Sequence, residues 1–198
     1  VMHTPTYDKR QSTIVDVARA IVAGHGPEAV TMSALAEGTG LSRPAIYQYF
    51  SSSAHVLGEL VLNDMADLSN EVERIVGAID EPTEQIRAWI HYCLAYLSTG
   101  EHQAIMTIGR SSLPEEHLGV VKAMHGFFME QLVRPLDQLG VEDARSLCGM
   151  IYGAVSAAAG RIAEGGEFLT EARLLETFVD AGLESTLANR QAHLPAAD

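Results

Sequence analysis

The sequence is poor in cysteine, in tryptophan, in positive charge and in long apolar runs. Its two cysteines, Cys93 and Cys148, sit in apolar stretches without a CxxC partner or metal-ligand spacing, so a reducing, cytoplasmic setting is expected. No apolar run approaches the roughly 18 residues that suggest a membrane span, and no continuous apolar segment occurs up to Val30. A soluble, unexported protein with no membrane partner is the expectation. A nucleophile elbow, a phosphate loop and paired motif carboxylates are also missing, which speaks against an enzyme; no catalytic residue and no cofactor are expected. His91, His102, His117 and His125 do not pair at the spacing of an HExxH helix, and no metal is expected.

The 198 residues carry 13 basic and 26 acidic side chains, a formal net charge of -13. Taken alone, that charge opposes binding to phosphates. Its distribution removes the objection: up to Ser53, Lys9, Arg10, Arg19 and Arg43 balance Asp8, Asp16, Glu28 and Glu37, and the excess acid lies beyond. A neutral N-terminal segment can approach DNA while an acidic body keeps the protein soluble.

What the sequence does contain is helical spacing throughout, with no strand-period segment. Ile14, Val17, Ala18, Ile21 and Val22 share one face of a first helix, from Asp8 to Gly24. Thr31 can cap a short second helix running to about Glu37, with a break at Gly38 to Gly40. Ser42 can cap a third, from Arg43 to about Phe50, whose first turn tolerates Pro44. A long helix follows, then an unusually apolar one from Pro82 to Ser98, a shorter one near His102, and one that Pro135 should kink or end. Two final helices are expected at about Glu142 to Glu164 and Thr170 to Asn189, with a frayed tail from Gln191 to Asp198.

The stretch Thr31 to Phe50 is the most informative. Leu35, Leu41, Ile46 and Phe50 form an apolar wedge, Ala36 is small where two helices cross, and Gly40 permits the positive φ of a tight turn. This leaves Arg43, Pro44, Ala45, Tyr47, Gln48 and Tyr49 facing outward. Arginine can bond guanine or phosphate, glutamine can pair with adenine, alanine can touch a thymine methyl, and the tyrosines suit phosphates. The pattern is that of a helix-turn-helix.

With Thr31, Leu35-Ala36, Gly40 and Tyr47 to Phe50 in place, the segment closely resembles the N-terminal domain of the TetR family of bacterial repressors. The resemblance is specific over about residues 10–57 and architectural thereafter. It implies an all-α fold: a three-helix helix-turn-helix module at 8–52, then a helical ligand-binding and dimerisation domain at 53–190. It also implies a DNA-facing set of Thr31, Ser33, Ser42, Arg43, Pro44, Ala45, Tyr47, Gln48, Tyr49 and Ser53 on double-stranded operator DNA. Ser53 stands where the family often has a phosphate-holding lysine, and Ser52 or Ser53 can cap the following helix.

In the body, the helix from Pro82 to Ser98 carries two apolar stripes. Ile86, Ile90, Cys93 and Leu97 suit packing, whereas Trp89, Tyr92 and Tyr96 add polar tips that could orient a ligand. Met106, Met124, Phe127 and Phe128 could form the opposite wall, although each aromatic could equally be core. The expected partner is a small, largely hydrophobic effector that releases the repressor from a palindromic operator; charged residues such as Arg87 and Glu101 leave the effector's charge open. Gly149, Gly153, Ala157 and Gly160, with Leu174, Leu175, Phe178, Val179, Leu183 and Leu187, point to a homodimer through the two last helices. The competing reading is a helical small-molecule carrier or sensor without direct gene regulation, which would have no use for the Arg-Gln-Tyr face.

Overall fold

The structure, a computed structural model, describes residues 5–193; residues 194–198, the end of the expected frayed tail, lie outside them. The described residues form nine α-helices and two short 3-10 turns, with no strand among them. The helices are α1 (Pro5–His25), α2 (Met32–Thr39), α3 (Arg43–Tyr47), α4 (Ser53–Val76), α5 (Pro82–Leu97), α6 (Gly100–Met106), α7 (Glu115–Gln138), α8 (Ala144–Ala163) and α9 (Phe168–His193).

The chain divides into two compact units, one of residues 1–67 with 100–124 and the other of 68–99 with 125–198. The cut falls inside α4 and α7, so the first unit holds the three motif helices together with the start of α4, α6 and the start of α7. Its core joins Ile14, Ala18 and Val22 of α1, Leu35 and Ala36 of α2, Ile46 of α3, Phe50, then Val56, Leu57 and Leu60 of α4 and Ile105 of α6. These residues are apolar at helical spacing, so each helix turns one face inward.

The second unit is built on α5, α8 and α9, with the later parts of α4 and α7. Ile86, Trp89, Ile90, Cys93, Leu94 and Leu97 are all buried along α5. Trp89 is therefore packed as deeply as the stripe assigned to the core, and the two-stripe division fails at that residue. On α9, Leu175, Val179 and Leu183 are buried while Leu174 and Phe178 stay exposed.

Helix boundaries differ from expectation where the end of a helix is decided by its capping bonds. The second helix includes Gly38 and closes at Gly40, whose φ of 68° is left-handed and suits glycine. Gly38 is also where α1 comes nearest: a Cβ there would stand 2.5 Å from Val17 Cγ1. Pro135 does not end α7, which continues to Gln138, with Leu139 N–H bonding the Pro135 carbonyl at 3.1 Å. A proline this near a C-terminus removes one donor without stopping the last turn. Among the described residues one helix, α8, is long and apolar enough on average to cross a membrane by length and composition alone, at a mean hydropathy of 1.2. That average comes from alanine and glycine among aliphatics rather than from one continuous apolar run.

Candidate nucleic-acid interface and the helical body

The helix-turn-helix is set by its caps. Thr31 Oγ1 accepts from Ala34 N–H at 3.1 Å and starts α2; Ser42 Oγ accepts from Ala45 N–H at 3.3 Å and starts α3. Pro44 lies in the first turn of α3, where no helical N–H bond is lost. The third helix ends at Tyr47, earlier than expected, as the Gln48 N–H tightens onto the Ala45 carbonyl at 3.2 Å and Phe50 is buried in the core. The chain between closes in short turns, with Tyr49 N–H also on the Ile46 carbonyl at 2.9 Å.

Ile46 is fully buried, and that fixes the outward face. Thr31, Ser33, Ser42, Arg43, Pro44, Tyr47 and Gln48 are exposed, Ala45 and Ser53 are half-buried, and half-buried Tyr49 packs on the core of the first unit. Ser52, not Ser53, caps α4, its Oγ accepting from His55 N–H at 3.3 Å. The same hydroxyl meets His55 Nδ1 at 2.8 Å, while His55 Nε2 reaches Glu116 Oε1 at 2.8 Å.

Further links tie α1 and α4 to the start of α6 and α7 within this unit. Arg19 donates to Glu101 Oε1 at 2.9 Å, and buried His102 Nδ1 lies 2.8 Å from buried Asp64 Oδ2. His117 Nε2 stands 3.6 Å from Glu59 Oε1, and its ring meets that of His55 edge-on with centroids 5.6 Å apart. These are paired contacts; among the described residues no group of three or more His, Cys, Asp or Glu is arranged to hold a metal.

The seven residues expected at a ligand are distributed over both units. Trp89 and Phe128 meet in the second unit, ring centroids 5.2 Å apart. Tyr92 and Tyr96 are half-buried and pair with each other at 6.1 Å. Met106 and Met124 belong to the first unit, and Met106 and Phe127 are exposed. The structure adds Tyr152 of α8, 6.5 Å from Trp89 and 6.1 Å from Phe128, and His125, 5.4 Å from Tyr152. Burial lifts the Tyr152 hydroxyl above its ordinary pKa, against a hydrogen bond with Ser156. Sequence spacing missed Tyr152 because α8 reads as small and aliphatic, and only the packing of α8 against α5 brings its ring to Trp89. Neither cysteine offers a nucleophile: burial raises the Cys93 thiol well above its usual pKa and Cys148 to about 11.

On the outer side of α8 and α9, Met150, Leu174 and Phe178 are each more than half exposed. Beside them on α8, a Cβ added at Gly149, Gly153 or Gly160 would meet nothing within 4 Å.

Two short capped helices, the second presenting polar side chains over a buried isoleucine, form a helix-turn-helix. Residues 14–60 match the family model of bacterial regulatory proteins of the tetR family. YfiR of Bacillus subtilis (strain 168), an uncharacterized HTH-type transcriptional regulator, is 24% identical over 141 residues, 68% of this chain and 67% of its own. PfmR of Thermus thermophilus, a TetR family transcriptional regulator, shares the fold with a TM-score of 0.69 and 21% identity, over 86% of this chain and 97% of its own. AibR, solved with isovaleryl coenzyme A and operator DNA, does so with a TM-score of 0.68 and 17% identity, over 86% and 96%.

Proposed function

We propose that the protein is a homodimeric repressor that binds a palindromic operator through α3 and its flanking turns and is released by a small, largely hydrophobic effector held in the helical body. The observation that carries the reading is the division of α3: Ile46 is fully buried, and Arg43, Pro44, Tyr47 and Gln48 are left outward. Arg43, Tyr47 and Gln48 can bond base edges and phosphates in a major groove, and Pro44 can only pack there. A dimer would place two such helices about one turn of DNA apart, and the symmetry of the protein would be read as symmetry of the site.

The exposed apolar side chains of α8 and α9 support the dimer, since Leu174 and Phe178 are one turn apart and lie beside a seam of glycine and alanine. A second copy presenting the same face would cover both. Release requires an effector that favours a shape with the wrong spacing; about a hundredfold preference supplies roughly 2.7 kcal/mol of coupling. AibR, with its acyl-coenzyme A and operator, shows that one protein of this fold holds both kinds of partner.

The test is a gel shift on the promoter of the protein's own gene. Gln48→Ala should lower preference at one base pair by roughly 1 to 3 kcal/mol, whereas Tyr47→Phe should weaken all sequences alike. If both variants remain folded and bind as the parent does, α3 is not the reading helix.

A further inference from the structure

Among the described residues, the buried polar side chains of the second unit are Ser69 and Gln131, and no charged side chain is buried there. Gln131 Nε2 donates to Ser69 Oγ at 2.9 Å and to the Ser69 carbonyl at 3.2 Å. A carbonyl only accepts, so these bonds fix which end of the amide faces Ser69. Gln131 Oε1 is thereby left buried with no hydrogen-bond partner, and so is the indole Nε1–H of Trp89. The second unit thus contains one unsatisfied acceptor and one unsatisfied donor, both on side chains more than nine-tenths buried.

Both border the same aromatic group. The Trp89 and Phe128 rings meet at 5.2 Å in a tilted arrangement, and Gln131 follows Phe128 by three residues on the same side of α7. Tyr152 closes the aromatic group against both Trp89 and Phe128. Buried polar groups in native proteins nearly always find partners, so an orphaned donor and acceptor beside an aromatic wall ask for a guest that supplies both.

We infer that this is the polar end of the effector site proposed above, and that the effector carries an uncharged group able to accept and donate at once, a hydroxyl on an apolar or aromatic skeleton. Its oxygen accepts from Trp89 Nε1–H, its proton goes to Gln131 Oε1, and the skeleton lies against Phe128 and Tyr152. A carboxylate would accept from Trp89 but has no proton for Gln131 and meets no buried cation. A hydrocarbon leaves both groups unpaired. Of the groups that had left the effector's charge open, exposed Arg87 pairs with Glu84 and Asp180 and Glu101 belongs to the first unit, while half-buried His125 borders the aromatic group, 5.4 Å from Tyr152.

Trp89 is the only tryptophan, so its indole N–H gives a single resonance in heteronuclear NMR of the full chain. Three probes of matched skeleton separate the chemistries: para-ethylphenol, ethylbenzene and para-ethylbenzoate. Para-ethylphenol should move the indole proton downfield and bind at least about tenfold more tightly than either of the others, because a site built for a hydroxyl rejects analogues that lack it. Gln131→Met should reduce para-ethylphenol to the affinity of ethylbenzene, and Trp89→Phe, which keeps a ring while removing the donor, should do the same by calorimetry. Equal binding of all three, or preference for para-ethylbenzoate, overturns the hydroxyl assignment while leaving an effector site in the body. An indole resonance already downfield and unmoved by saturating para-ethylphenol assigns the two groups to a resident water and overturns it too. Binding of none of the three removes the site, and with it the effector part of the function proposed above.

Discussion

The two units bury polar groups of opposite kinds. The first encloses Asp64, His102 and His117, ionisable side chains facing carboxylate or imidazole groups on other helices, with His117 Nδ1 left without a hydrogen bond, whereas among the described residues the second encloses the neutral Ser69 and Gln131. A directed polar contact tolerates little displacement, so the first unit holds α1 and α4 to α6 in one arrangement. Apolar surfaces are indifferent to direction, and the second unit relies on aliphatic and aromatic packing. The comparison agrees with the proposal of a DNA-reading element in the first unit and an effector site in the second.

Substitutions at three residues can break or sharpen that comparison. The largest effect is expected in the second unit, where Trp89→Ala should cost about 3 to 5 kcal/mol in denaturant unfolding, because a fully buried indole leaves a cavity that the helices only partly fill. A loss under about 1 kcal/mol would mean that packing at this residue contributes little and the contrast is overstated. Next comes the exposed apolar face: Phe178→Glu should weaken self-association by about 2 kcal/mol or more, read as a shift toward monomer in sedimentation. A variant that stays a tight dimer places the interface on another face. The smallest of the three is in the first unit, where Asp64→Ala removes the buried carboxylate facing His102 Nδ1 and should cost about 1 to 3 kcal/mol, with Asp64→Asn recovering part of it because the amide can still accept from the ring. If alanine and asparagine behave alike, the His102 contact does not contribute to stability.

The motif of the first unit was legible in its caps, wedge and turn, though not at Tyr49, which was read as outward and packs on the core. Caps at Thr31 and Ser42, the wedge of Leu35, Ile46 and Phe50, and the turn at Gly40 all act within one or two turns of chain, where residue type and spacing suffice. The ligand candidates were legible only as a pool of large side chains. An α5 helix apolar on most sides announces burial but not which neighbour covers each side, so Trp89 could be read as wall or as core. Tyr152 and Gln131 were invisible as candidates, since neither breaks a local pattern.

By itself, then, the sequence determined what short-range geometry controls: an all-helical chain, a helix-turn-helix with its outward face, and a split between a neutral N-terminal segment and an acidic remainder. Tertiary structure decided everything that depends on which helices meet: the pairing of His102 with Asp64, the exposure of Phe178 beside the buried Val179, and the aromatic group around Trp89. The physical reason is that helical periodicity specifies the direction of a side chain about its own axis. The partner at the end of that direction comes from a helix tens of residues away, and only packing selects it.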